Sequence, residues 1–157
     1  MKKIIACLLM ICLLLLLTAC GGGKEKETAI DLEALANDLT ASAAFTMDMS
    51  QYKMNEQLAA PTYGYDGADV ESASYYFNNG SAEEIFLAKA KDAKAAEGLE
   101  ELCKARVQNQ ITSLQSYIPE AVPRLESAVI ARSGSYVVLV VANDGAAAQS
   151  IVDGYFK

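Results

Sequence analysis

Carboxylates are the plentiful catalytic groups in this 157-residue sequence, which contains 20 Asp and Glu residues and no His. Asp66, Asp69 and Glu71 lie close together, and such a group could bind calcium or act as the acid–base pair of a hydrolase. Their spacing matches no EF-hand loop, and sequence alone does not fix the separation that two catalytic carboxylates need. A solvated acidic turn is the interpretation that we favour.

The sequence offers little support for other catalytic chemistry. Without His it lacks the commonest general base and the commonest zinc ligand, so a Ser nucleophile would need Lys as its base. Gly21-Gly22-Gly23 precedes no strand–helix unit, which excludes a phosphate-binding loop there. We therefore predict no catalytic residue, no metal site and no cofactor.

Four tyrosines form the remaining candidate site. Tyr63, Tyr65, Tyr75 and Tyr76 lie next to a segment that has little regular periodicity. An exposed tyrosine offers an apolar ring and a polar hydroxyl, which suits contact with a sugar or a peptide. Half-buried packing beside a hairpin is the alternative and the more common role. All four are kept as candidate contacts for a ligand or a partner.

The N-terminus is organised as an export signal. Two lysines precede the fourteen apolar residues 4–17, a length that fits a signal-peptide core and is too short to span a bilayer. The segment ends in Leu17-Thr18-Ala19-Cys20, which resembles the lipobox of bacterial lipoproteins position by position. In that family the cysteine thiol is joined to diacylglycerol and the chain is cut before it. The resemblance implies a signal peptide at residues 1–19, lipidation at Cys20 and a location on the extracytoplasmic face of the cell membrane.

The charge of the chain is consistent with a lipid anchor. Cleavage before Cys20 removes two lysines and leaves 11 basic against 20 acidic residues, a formal charge of −9. Anionic headgroups and nucleic acid repel such a domain, so lipid must hold it at the membrane, and we exclude nucleic acid as a partner. An ordinary secretory signal with Cys20 at its cleavage site, or an uncleaved anchor, is the alternative.

One cysteine remains after the signal is cut and Cys20 is acylated. Cys7 and Cys12 leave with the signal, so Cys103 has no partner for an internal disulfide. Cys103 also falls near the middle of an apolar stripe on a predicted helix. We interpret it as a small core residue and not as a reactive thiol.

After a flexible, charged tether at residues 20–30, the apolar periodicity predicts a single domain at residues 31–157. Asn79-Gly80 is a strong hairpin signal within it, because both residues tolerate positive φ. The predicted elements are helices at 31–41, 93–117 and 146–156, strands at 74–78, 84–91, 125–132 and 136–142, and turns with a short helical piece at 45–70.

Two hairpins separated by a long helix predict an α+β fold with two layers. A mainly antiparallel four-stranded sheet carries the long central helix and the C-terminal helix. Residues 136–142 are apolar at every position, so both faces of that strand need cover. We expect residues 31–65, or a second copy of the protein, to lie across the second face. Gly98 interrupts the long helix at a cost of about 1 kcal/mol relative to alanine, and the sequence gives no reason for it.

Three segments carry a further resemblance. They are the Glu84–Asp92 strand that leads into a charged helix, Tyr117-Ile118-Pro119-Glu120 at the end of that helix, and the Gly134–Val141 hairpin. With them, residues 30–157 resemble a family of small bacterial lipoproteins that carry an uncharacterised domain and are common in Gram-positive anaerobes. The motifs are structural, so the resemblance implies no activity and no catalytic residue.

We therefore expect a lipoprotein, tethered to membrane lipid through diacylglyceryl-Cys20, that binds another envelope protein, a cell-surface ligand or a second copy of itself. Two alternatives stay open: a cell-wall hydrolase that works through Asp66, Asp69 or Glu71, and an accessory subunit of a membrane transporter. Carboxylates that converge in a concave pocket would favour the hydrolase. An apolar or tyrosine-lined surface would favour binding.

Overall fold

Two strands that are buried along nearly their whole length determine how the chain folds. The computed structural model describes residues 29–156. Its elements, in order, are α1 (Leu32–Thr40), 3₁₀ turns at Met49–Tyr52 and Glu56–Leu58, α2 (Ala59–Tyr63), a 3₁₀ turn at Gly67–Asp69, β1 (Val70–Asn78), β2 (Glu83–Ala90), α3 (Ala93–Leu114), a 3₁₀ turn at Pro119–Ala121, α4 (Val122–Glu126), β3 (Val129–Ser133), β4 (Tyr136–Val141) and α5 (Gly145–Tyr155).

The sheet has the order β1-β2-β4-β3, and every neighbouring pair is antiparallel. β1 pairs with β2 in one hairpin and β3 with β4 in the other, and the two hairpins join where Phe86 lies opposite Leu139. The long helix α3 connects the hairpins along the chain. The α+β class, the four-stranded antiparallel sheet, the long central helix and the C-terminal helix are thus confirmed.

Helices cover both faces of the sheet. On one face, the α1 face, Ile85 and Val138 pack with α1 and α5. On the opposite face, the α3 face, Phe86 and Leu139 pack with α2, α3 and α4. The fold therefore has three layers where two were expected, because β2 and β4 direct apolar side chains to both sides.

Residues 31–65 supply part of the second cover, as predicted. Leu35 and Leu39 of α1, followed by Phe45, are buried in the same cluster as Val138 of β4. Helix α5 completes this layer with Val152. Among residues 29–156, no helix combines the length and the apolar composition that crossing a bilayer requires.

The start of β3 differs most from the prediction. A strand was expected at 125–132, but α4 occupies the beginning of that range and the strand starts only at Val129. Pro123 lies in the first turn of α4, where its missing N–H leaves no hydrogen bond unmade, and Leu125 is buried on the α3 face. β1 also begins earlier than predicted, at Val70, and α3 ends earlier, at Leu114.

The β1–β2 turn lies where it was predicted but has another backbone conformation. Neither Asn79 nor Gly80 has a positive φ; the residue in the left-handed region is Ala82, with a φ of 59°. The Asn78 side chain organises the turn by accepting a hydrogen bond from the Gly80 N–H at 2.9 Å. A left-handed φ costs an alanine about 1–2 kcal/mol, so this turn stores strain.

Replacing Ala82 with glycine should release that strain. Because the gain is partly offset by the greater freedom of glycine in the unfolded chain, we expect Ala82→Gly to raise the free energy of unfolding by about 0.5 kcal/mol. Urea denaturation, monitored by circular dichroism, measures this change in the free energy of unfolding. Ala43→Gly, at an exposed turn residue without a positive φ, is the control and should lower stability. Equal losses in both variants would show that Ala82 is unstrained.

Candidate functional site

A cleft of about 590 Å³ lies between the segment Gly64–Val70 and the first half of α3. We call it the α3 cleft. Apolar side chains and Gly98 form its walls, and charged side chains also line it. The lining residues are Gly64, Tyr65, Asp66, Asp69, Val70, Lys91, Asp92, Lys94, Ala95, Gly98, Leu99 and Leu102. Its size lies within the range of about 300–1,000 Å³ that is usual for small-molecule sites.

One wall is the loop between α2 and β1. Gly64 ends α2 with a φ of 79°, a conformation that glycine adopts without the penalty of a side chain. Asp66 then accepts a hydrogen bond from the Ala68 N–H at 2.9 Å, which closes the 3₁₀ turn. The Lys91 N–H donates to the Asp69 carbonyl at 2.9 Å, and the Lys91 ammonium pairs with the Asp69 carboxylate. The loop is thereby joined to the end of β2.

The opposite wall is the start of α3. Asp92 caps this helix, and its carboxylate accepts a hydrogen bond from the Ala95 N–H at 2.8 Å. Leu99 is buried and Leu102 half-buried on the side that faces the sheet. Gly98 presents only backbone, and a Cβ placed on it would meet nothing within 4 Å. This wall therefore has a gap in its side-chain cover.

The polar groups of the cleft offer both donors and acceptors. Lys94 has no hydrogen bond or ion pair among residues 29–156. The hydrogen bond to Asp69 raises the pKa of Lys91, so this lysine stays charged. Burial, and then the nearby charge of Glu56, raises the pKa of the Tyr65 hydroxyl. Tyr65 thus stays neutral near pH 7 and can donate as well as accept a hydrogen bond.

A buried polar cluster holds the walls of the α3 cleft in place. Glu84 of β2 is fully buried, and Arg106 of α3 binds it with both ends of its guanidinium, at 2.8 Å from Nε to Oε1 and 2.9 Å from Nη2 to Oε2. The Tyr63 hydroxyl donates to Oε1, and the Gln110 amide donates to Oε2 at 3.0 Å. We call these residues, with Tyr75, the Glu84 cluster. Since Tyr63 directly precedes Gly64, the cluster fixes the point where the cleft wall begins.

Electrostatics keep Arg106 charged and the tyrosines of this cluster neutral. Burial, then the charge of Glu84, raises the pKa of Tyr63 far above its ordinary value. The same two causes raise the pKa of Tyr75, whose hydroxyl lies 3.3 Å from Arg106 Nη2. Burial alone would lower the pKa of Arg106, but the hydrogen bonds and charge of Glu84 outweigh it and raise the value. The guanidinium also lies 5.4 Å from the ring centres of Tyr63 and Phe77.

The neighbouring carboxylate, Glu83, makes a separate attachment on the α1 face. It is also fully buried, and it accepts hydrogen bonds from the Thr46 N–H at 2.6 Å, the Thr46 hydroxyl at 2.7 Å and the Ser81 hydroxyl at 2.9 Å. Successive side chains of a strand point to opposite faces, so Glu83 and Glu84 cannot share a site. Glu83 instead binds the layer on the α1 face to β2, and Glu84 binds the layer on the α3 face.

The Glu84 cluster was not predicted from the sequence. Its signals were present: a charged residue directly before the apolar run 85–88, and Arg106 and Gln110 spaced four residues apart on one helix. They become informative only when the register of β2 against α3 is known. Residues 50–53 have the Ser-x-x-Lys spacing that a Ser nucleophile with a Lys base would need. The Ser50 hydroxyl donates to Asp48 at 2.6 Å, and the Lys53 ammonium lies 6.0 Å from the Tyr76 ring centre.

The four candidate tyrosines have different environments. Tyr63, Tyr75 and Tyr76 are buried, which corrects their assignment as exposed contact residues, although Tyr76 also lines a separate surface pocket. The physical reason is that β1 directs Tyr75 to the α3 face and Tyr76 to the α1 face, and both faces are covered. Tyr65 is half-buried and lines the α3 cleft, so it remains a candidate contact.

The three candidate carboxylates are not gathered into one site. Asp66 and Asp69 line the α3 cleft, whereas Glu71 is not among the lining residues and pairs with Lys89 at 2.5 Å. Cys103 is buried in the core as predicted, and burial, followed by the charge of Glu84, raises the pKa of its thiol. Cys20 lies outside the residues that the structure describes.

Comparison with known proteins places the chain in one family. Residues 42–142 match the domain of unknown function DUF4358. This range runs from the turn after α1 to the end of β4, so it includes the α3 cleft and the Glu84 cluster. No curated protein and no solved structure matches the chain.

Removing the cation of the Glu84 cluster should destabilise the fold strongly. Arg106→Met leaves a fully buried carboxylate without its charged partner, which costs about 3–5 kcal/mol of unfolding free energy. Arg132→Met is the control, because Arg132 pairs with Glu100 at the surface, where solvent screens the pair, so its loss should change the free energy of unfolding only slightly. Guanidinium denaturation of both variants measures the difference. Similar losses in the two would contradict a structural role for the buried pair.

Proposed function

We propose that the chain, which belongs to the DUF4358 family, is a lipoprotein anchored to the extracytoplasmic face of the cell membrane and acts there as a non-catalytic binding module. The anchor is diacylglyceryl-Cys20, and the binding site is the α3 cleft. The domain is held near the membrane by lipid while its cleft takes up a ligand.

The anchor is supported by the sequence around Cys20. Residues 17–20 follow the lipobox pattern directly after a signal-length apolar core. Two acyl chains on one residue hold a protein stably at a bilayer, whereas a single chain gives only marginal, reversible binding. With a formal charge of −9 after cleavage, the domain has no electrostatic attraction to anionic lipid that could replace the acyl chains.

The observation that carries the binding role is the state of the cleft carboxylates. Asp66 and Asp92 each cap a helix through backbone N–H groups, and Asp69 is paired with Lys91. Each carboxylate therefore has a structural task at the edge of a cleft whose walls include Tyr65 and Leu99. A pocket of apolar walls with a few polar groups is the usual form of a ligand site.

A second candidate, a carboxylate-dependent cell-wall hydrolase, has one observation in its favour: Asp66 and Asp69 line the same cleft. Retaining and inverting glycosidases need one carboxyl that acts as an acid and another that is free to act as nucleophile or base. The pairing of Asp69 with Lys91 and the cap made by Asp66 favour binding over this chemistry.

Membrane attachment should depend on Cys20. We expect Cys20→Ala to abolish incorporation of radiolabelled palmitate and to move the protein out of the detergent phase in Triton X-114 partition of bacterial cells. Cys12→Ala is the matched control, since it removes a cysteine from the same signal and leaves the lipobox intact. Unchanged labelling and partition of Cys20→Ala would refute lipidation at this residue.

The two candidate functions differ in what happens to cell-wall material. Incubation of the purified protein with isolated peptidoglycan should release no soluble fragments beyond those of a heat-denatured sample. Release that is lost in Asp66→Asn but kept in Glu71→Gln would instead identify a hydrolase. The comparison is informative because only the first of these carboxylates lines the cleft.

A further inference from the structure

We propose that the ligand of the α3 cleft is a neutral saccharide. The proposal rests on the binding role given above and specifies its ligand class. It follows from three features of the cleft: the gap at Gly98, the Tyr65 ring and the balance of charged groups around the walls.

Gly98 has no structural reason to be glycine. It lies inside α3, where glycine costs about 1 kcal/mol relative to alanine, its φ is not positive, and an added Cβ would contact nothing. The space that a larger side chain would fill belongs to the α3 cleft. The glycine therefore lets a ligand approach the helix backbone, and this accounts for a residue that the sequence left unexplained.

Tyr65 supplies an aromatic surface on the other wall. Its ring is half-buried against Phe86, with the ring centres 6.1 Å apart, and this contact limits its movement. A fixed aromatic ring with a neutral hydroxyl can pack against the apolar face of a sugar ring and exchange a hydrogen bond with a sugar hydroxyl. Leu99 and Leu102 extend the apolar surface opposite.

The charges around the cleft favour a neutral ligand over a charged one. Asp66, Asp69 and Asp92 are matched by Lys91 and Lys94, so the formal sum of these side chains is −1. A cationic ligand meets the unpaired Lys94, and an anionic ligand meets Asp66 and Asp92. Each of the two Asp residues uses one carboxylate oxygen in its cap, and the other oxygen can accept from a hydroxyl. Hydroxyls both donate and accept, which matches this mixture.

The test is a titration of the full-length lipidated protein with defined oligosaccharides. The detergent should be a polyoxyethylene ether, because sugar-headed detergents would compete for the cleft. The probes are tetra-N-acetylchitotetraose and cellotetraose, with tetralysine and tetraglutamate as charged comparisons, and binding is followed by saturation-transfer NMR. We expect saturable binding of at least one neutral saccharide, unchanged when NaCl is raised from about 0.05 to about 0.5 M.

The matched pair of variants is Gly98→Leu and Gly154→Leu. Both glycines are exposed, both lie in helices, and a Cβ would meet nothing at either position, but only Gly98 lines the cleft. We expect Gly98→Leu to weaken saccharide binding about tenfold or more while Gly154→Leu leaves it unchanged. Thermal denaturation of both should show no loss of stability, because leucine is the better helix former.

The proposal would be overturned by saturation with tetralysine or tetraglutamate but with neither saccharide, or by saccharide binding that survives Gly98→Leu. A failure to bind any probe would also reject the saccharide. None of these results affects the test of Cys20 by palmitate labelling, so a failure of the ligand assignment is distinguishable from a failure of the anchor.

Discussion

The structure depends on one buried ion pair, between Glu84 at the start of β2 and Arg106 in the middle of α3. Removing a carboxylate from solvent is unfavourable in free energy. Here a bidentate guanidinium, a tyrosine hydroxyl and an amide offset that loss with hydrogen bonds. These donors come from α2 and α3, so satisfying Glu84 requires both helices to lie in one position on the sheet. Replacing a whole buried ion pair by well-packed apolar residues is often neutral for stability, whereas removing one partner alone is costly.

The position of α2 in turn determines the shape of the cleft. Tyr63 is the last residue of α2 and stacks on Phe86 with ring centres 4.0 Å apart, and the loop that forms one wall follows immediately. The far end of that loop is joined through Asp69 to Lys91, the residue that directly follows β2. Both ends are therefore attached to the same strand, and the wall between them is positioned by the sheet. A site on such a support needs little reorganisation to bind.

The sequence predicts the elements of this fold better than their layering. Alternating and helical periodicities identified the strands and the long helix, because these patterns are local. The cover on the second face followed from the apolar run of β4, which must be buried on both sides. The short helix α4 was not predicted, because the proline in its first turn resembles a turn that precedes a strand. The site was predicted least well. Tyr65 was among the candidates, but the partners of Glu84 come from residues more than 20 positions away, and no local pattern records such a contact.

The first described residues and the α3 cleft lie on different sides of the sheet. The described chain begins immediately before α1, in the layer on one side, and the cleft opens in the layer on the other side. The residue at which the described chain enters α1 and the α3 cleft thus lie on opposite sides of the sheet, and α1 contributes no residue to the cleft.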